Sequence, residues 1–161
     1  MLNHNSSGLK HNNGQYFNFA LPGPYRHNSL LVDTIELFGP RYTPQASILH
    51  LQDNANMVSI HEAEQLQQFG MHSSIKHVLP DIILYQEKKQ ALFFIEVITK
   101  RGMVTPARKY ELEECFSACS IRKIYITACY ELQDYKHIIG QIAWGSYLWF
   151  AHTPDHIIFQ W

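Results

Sequence analysis

Two β-rich runs constrain this chain more than anything else in it. Asp81-Ile82-Ile83-Leu84-Tyr85 and Ala91 to Ile98 are separated only by the polar stretch Gln86 to Gln90. Apolar, β-branched runs joined by so short a connection predict an antiparallel hairpin. Centring its turn on Lys88 and Lys89 places Asp81 directly across from Glu96. Cross-strand partners carry their Cβ atoms about 5 Å apart on one face, so two carboxylates meet there. They repel unless a cation or a proton lies between them. A divalent ion fits, since Mg²⁺ takes oxygen ligands and is commonly held by one or two carboxylates with water and phosphate. The plain alternative leaves one acid at a solvated strand end, or shifts the register. Glu96 resists that alternative, because a lone glutamate inside Phe93-Phe94-Ile95-Glu96-Val97-Ile98 is a costly core residue.

The surrounding sequence gives the hairpin a mixed sheet to join. Residues 1–20 have the polar composition of an arm, and Leu21-Pro22-Gly23-Pro24 reads as a turn leading into a single domain over 21–161. Asn28 is placed to cap a helix carrying Leu30, Leu31, Ile35 and Phe38, stopped by Gly39 and Pro40. Ser47 to Leu51 alternates as a strand, Met57 to Ile60 suits another, and a short helix over His61 to Phe69 ends at Gly70. After the hairpin, Thr105 and Pro106 open a helix carrying Tyr110, Leu112, Cys115, Phe116 and Cys119. A strand over Ile121 to Thr127, a helix over Gln133 to Ala143 and strands over Tyr147 to Ala151 and Ile157 to Trp161 complete an α/β fold, with helices flanking a mixed central sheet. At 161 residues, 46% of them apolar, the chain can bury roughly two thirds of its unfolded surface in one core.

Composition narrows the function classes. No apolar run approaches the ~20 residues of a membrane span, and the N-terminus shows no apolar signal segment. Cys115, Cys119 and Cys129 form neither a C-x-x-C pair nor an even set, which predicts buried thiols in a reducing, cytoplasmic setting. The formal net charge of −1 argues mildly against capture of nucleic acid by bulk charge. Averages hide patches, however. Lys76, Lys88, Lys89, Lys100, Arg101, Arg108 and Lys109 gather around the acidic pair in sequence, an arrangement suited to phosphodiester anions, although Lys88 and Lys89 read better as solvated turn residues. His61-Glu62-Ala63-Glu64-Gln65 lacks the second histidine of a zinc helix. His77 and His156 read as structural. Trp144, Tyr147, Trp149 and Trp161 could stack on bases but read better as core or interface. No glycine-rich phosphate loop points to an organic cofactor.

At this point the residues carry a resemblance. Pro80-Asp81-Ile82-Ile83-Leu84-Tyr85, then Leu92 to Thr99, then Arg108-x-x-Glu111-Leu112 resemble the catalytic domain of the BsuBI/PstI type II restriction endonucleases, a group placed among PD-(D/E)XK nucleases. The similarity extends upstream to His27-Asn28 and Phe38-Gly39-Pro40-Arg41-Tyr42, and downstream to Tyr125-Ile126-Thr127-Ala128, Ile142-Ala143-Trp144, Trp149 and Pro154-Asp155-His156. It implies a restriction-endonuclease-like core and Mg²⁺-dependent hydrolysis of double-stranded DNA by a homodimer, with Mn²⁺ as a substitute ion. Asp81, Glu96 and the Val97 carbonyl would hold the metal, Lys100 or Arg108 would supply the positive charge, and Glu36 would be the acidic residue of the first helix. The usual lysine, two residues after the glutamate, is here Ile98, and only Asp53 survives from an accessory segment that Gln52 to Met57 replaces. The N-terminal, DNA-reading half of such enzymes has no counterpart in these 161 residues. Those departures keep a second expectation open: a nuclease fold that no longer cleaves and binds DNA or a protein partner.

Overall fold

A computed structural model of the chain describes residues 9–10, 16–17, 26–52, 58–72, 78–98 and 102–161. The hairpin forms in the expected register: β5 (Ile82–Gln86) pairs antiparallel with β6 (Ala91–Val97), Ile82 opposite Ile95 and Gln86 opposite Ala91. The turn is one 3₁₀ segment, Glu87–Lys89, closed by Gln90 in the left-handed conformation at φ 47°. Every residue of β6 is buried, as a strand at the centre of a sheet with both faces covered must be.

Among the described residues, seven strands build that sheet in the order β4-β3-β5-β6-β7-β8-β9. Besides the hairpin it contains β3 (Ser47–Gln52), β4 (Val58–His61), β7 (Arg122–Cys129), β8 (Ser146–Phe150) and β9 (Ile157–Gln160). β6, β7 and β8 run parallel, while the remaining pairs are antiparallel. Parallel neighbours need a crossover, and α4 (Pro106–Cys115) and α5 (Leu132–Ile138) provide the two required here. The fold is thus the expected mixed sheet with flanking helices. Leu9–Lys10 (β1) pairs with Tyr16–Phe17 (β2) as a separate two-stranded ribbon within the polar arm.

Side chains leave the hairpin with period two and feed two cores. On one face Ile82, Leu84, Phe93, Ile95 and Val97 pack with Leu30, Leu31, Ile35 and Phe38. On the other, Ile83, Leu92 and Phe94 pack with Leu112, Cys115 and Phe116 and with Leu66 of α3 (Ala63–Gln68). Glu96 shares the second face, under α4.

The structure corrects several sequence expectations. Asn28 lies inside α1 (Arg26–Asp33) instead of capping it, and Gly39-Pro40 does not end the helix. The chain passes through a π-helical turn, Thr34–Phe38, into α2 (Gly39–Tyr42), with Pro40 in the first turn of α2. Thr34 Oγ1 donates to the Leu30 carbonyl at 2.7 Å, the back-bonding that loosens a helix at such a turn. β3 buries its four central residues without alternation, because a bulge between Ile48 and His50 interrupts its pairing with β5. α4 ends at Cys115, so Cys119 lies beyond it, and Tyr110 is 65% exposed on its outer side. α5 stops at Ile138 and gives way to a 3₁₀ turn, Ile139–Gln141. Of the C-terminal aromatics, Trp149 is fully buried, whereas Trp144 (72%) and Trp161 (83%) are exposed. The Leu21 to Pro24 linker falls outside the described residues.

Candidate active site

The site begins where β6 outruns β5. Beyond the Ile82–Ile95 pair, the Val97 N–H has no strand carbonyl to meet, and it donates instead to Asp81 Oδ2 at 2.9 Å. The Asp81 main chain is fixed from the other side, its carbonyl accepting from the Gln52 N–H at 2.9 Å. Its second carboxylate oxygen, Oδ1, lies 3.4 Å from His27 Nε2 at the start of α1. Asp81 is therefore held from three directions before any ligand arrives.

Glu96 faces it from the opposite strand and is only 5% exposed. Arg108, in the first turn of α4, donates from Nε to Glu96 Oε1 at 2.6 Å. The same guanidinium donates from Nη1 to Glu111 Oε2 at 3.2 Å and from Nη2 to the Leu79 carbonyl at 3.0 Å. Its backbone is placed by the helix cap: Thr105 Oγ1 accepts from the Arg108 N–H at 3.1 Å. Burial first, then the Asp81 charge beside it, push the Glu96 carboxyl up to about 8, while Arg108 works in the opposite direction. The raised value means that the two acids keep a proton between them unless a further cation neutralises them.

The Val97 carbonyl is the third candidate oxygen. Gly102, at φ +93°, passes so close that a Cβ there would lie 3.3 Å from the Val97 carbonyl oxygen, and only a residue free to adopt that conformation brings the chain so near. Thr127, across from Glu96 on β7, accepts at Oγ1 from the Val104 N–H at 3.0 Å and anchors the segment leading into α4. Two carboxylates and a main-chain carbonyl are hard oxygen donors, and a further cation would let both acids ionise side by side. The residues fit a Mg²⁺-class ion completed by water or phosphate oxygens. Among the described residues, no group of three or more histidines, cysteines or acids is placed to hold a metal ion, so an ion here would rest on the two acids with carbonyl, water or phosphate oxygens.

The other sequence candidates fare differently. Arg108 joins the acidic pair. Lys100 lies outside the described residues, as do Asp53, His77, Lys76 and Arg101. Lys88 and Lys89 occupy the opposite end of the hairpin, and Lys89 Nζ donates to the Tyr42 carbonyl at 2.8 Å, so the cations clustered in sequence do not all surround the acids. Lys109 turns away, donating to the Trp144 carbonyl at 3.0 Å and lying over the Tyr125 ring. Glu36 is exposed and more than two helical turns beyond His27. Asp155 accepts from Arg41 Nε at 2.8 Å, a tie between α2 and the loop after β8. His61 sets its Nδ1 3.1 Å from Nδ1 of His50, a cross-strand pair on β4 and β3. Sequence reasoning missed His27 as a partner of Asp81 and Glu111 as a partner of Arg108. Both lie in the stretches that carry the family resemblance, which was the available signal.

Comparison with known proteins bears on the family and fold of the chain. The family model described as the BsuBI/PstI restriction endonuclease domain matches residues 9–160. The type II restriction enzyme BsuBI of Bacillus subtilis is 29% identical over 135 residues, covering 84% of this chain and 43% of that protein. The SdaI restriction endonuclease structure superposes with a TM-score of 0.79 at 24% identity, over 85% of this chain and 43% of that one, and shows the same fold. The chain spans less than half the length of either.

Proposed function

The chain belongs to the BsuBI/PstI restriction endonuclease family, and from that premise we propose that it hydrolyses phosphodiester bonds of double-stranded DNA as the catalytic domain of a Mg²⁺-dependent type II restriction endonuclease. The observation that carries the reading is the opposed Asp81–Glu96 pair, half-buried at Asp81 and buried at Glu96, at the open end of the β5–β6 hairpin. Asp81, Glu96 and the Val97 carbonyl would hold the ion, with Mn²⁺ able to replace Mg²⁺. When bound, such an ion lowers the pKa of water and draws charge from the phosphate oxygens.

The chain's own residues set the stage for that chemistry. The Val97 N–H and His27 fix both oxygens of Asp81, so its carboxylate needs no reorientation. Arg108 brings a guanidinium within one residue length of the acids, where it can steady the charge that develops on a phosphate. Lys100 remains the other candidate for that role. Cutting both strands of a two-fold symmetric sequence calls for two sites related by the same symmetry, so the active form is proposed to be a homodimer working in the cytoplasm.

Incubation with supercoiled plasmid tests this directly. Nicked and linear products should accumulate with Mg²⁺ or Mn²⁺, disappear with a chelator, and fall at least a hundredfold in Asp81→Ala and Glu96→Ala, about the scale of losing one preorganised electrostatic contribution. Cutting without metal, or undiminished in both variants, rejects the proposal. One observation favours a second reading: Arg108 already occupies Glu96, as it would in a degenerate module that binds DNA or a protein without cleaving. Such a module would bind and never cut.

A further inference from the structure

Resting on the reading of Asp81 and Glu96 as the metal-holding pair, we propose that the Arg108 guanidinium is a built-in substitute for the ion: it occupies Glu96 in the metal-free protein, yields Glu96 when the ion binds, and is thereby released toward the DNA phosphate. The geometry carries this. The 2.6 Å contact already takes Glu96 Oε1, one of the two oxygens that this carboxylate could offer an ion, so guanidinium and ion would compete for the same carboxylate.

Arg108 has somewhere to stay after it lets go. Its other two contacts, to Glu111 Oε2 one turn along α4 and to the Leu79 carbonyl just ahead of β5, involve different nitrogens and neither acid of the pair. Losing Glu96 therefore turns the guanidinium on two remaining anchors and keeps it at the site. Charge favours the sequence of events. With both acids ionised, Asp81, Glu96 and Arg108 sum to one negative charge; a divalent ion would bring the sum to one positive charge, and a phosphate would restore balance. Of the other groups around the pair among the described residues, His27 faces Asp81 Oδ1, Glu111 is exposed and screened, and Lys109 points to Trp144. Metal alone should bind weakly and DNA should strengthen it.

The test needs no cleavage. Free Mn²⁺ is titrated against the full chain without DNA and followed by electron paramagnetic resonance. Arg108→Met should bind Mn²⁺ about tenfold tighter than the wild type, because one charge-assisted hydrogen bond no longer competes. Lys109→Met, which removes a neighbouring charge that does not touch Glu96, should bind as the wild type does. In the wild-type protein, the Arg108 Nε–H resonance, displaced downfield by the short contact, should move on saturation with Mg²⁺; this measurement stands even if Arg108→Met fails to fold. Unchanged or weaker affinity in Arg108→Met, an equal gain in Lys109→Met, or an Nε–H that ignores Mg²⁺ overturns the exchange while leaving the metal site intact. Absence of Mn²⁺ binding dependent on Asp81 and Glu96 in every variant overturns the metal reading itself.

Discussion

His50 shows how a single buried side chain sets the response to acid. It is 2% exposed, and burial first, then the charge of His61, lower its pKa from 6.5 to about 4, with Gln52 and Asp81 opposing. Within the His50–His61 contact one Nδ1 donates and the other accepts, so the contact is lost if both rings are protonated. The unfolded chain takes up its proton first as pH falls, so this contribution is complete above about pH 6.5 and is lost on the way down to about pH 4. Its size is on the order of 3 kcal/mol. Melting temperature measured against pH should fall across that window, and His50→Gln should flatten the fall. Nothing in the one-dimensional pattern announces this pair, since the residues lie on different strands whose pairing shifts register between Leu51 and Gln52. The same holds for Arg108. That it opens a helix is visible in Thr105-Pro106, but that it reaches Glu96 depends on how α4 lies across the sheet.

Among the elements, α4 ties the sequence signal most directly to the site. Its N-cap, Thr105, binds the N–H of the very residue whose side chain holds Glu96. Thr105→Ala should lower stability by about 1 kcal/mol, the usual loss for a cap, read as a shift in the chemical denaturation midpoint. It should also loosen Arg108, so the Nε–H resonance of that residue should broaden. The hairpin and this helix start were readable from sequence because each rests on local chemistry: a short polar turn between β-rich runs, and a Thr-Pro pair. The π-helical turn and the true end of α4 were not, because both are decided by packing. Phe38 reaches Trp149 in edge contact, and Cys115 closes the core that Tyr110 leaves.

Across the whole molecule, residues far apart in sequence are clasped at Pro154, whose carbonyl accepts from Tyr42 Oη at 3.2 Å and from Trp149 Nε1 at 3.0 Å. The Arg41–Asp155 ion pair lies beside it, exposed and contributing little. Trp149 is the fully buried member that also packs on Phe38, so Trp149→Ala should cost about 3–5 kcal/mol. Thermal unfolding should remain a single transition that moves to lower temperature, because α1, α2 and the sheet share one core. Asp81 carries a related lesson from the far end of the sheet. Its carboxylate fills a gap in the backbone ladder, so it acts as a rivet as well as the proposed ligand. Truncating it to alanine unfastens the hairpin mouth and leaves an amide unpaired, whereas asparagine keeps an acceptor in place. The evolutionary counterpart is that a descendant could give up catalysis through asparagine at this position with its architecture whole, a route from scissors to clamp that one amide nitrogen opens.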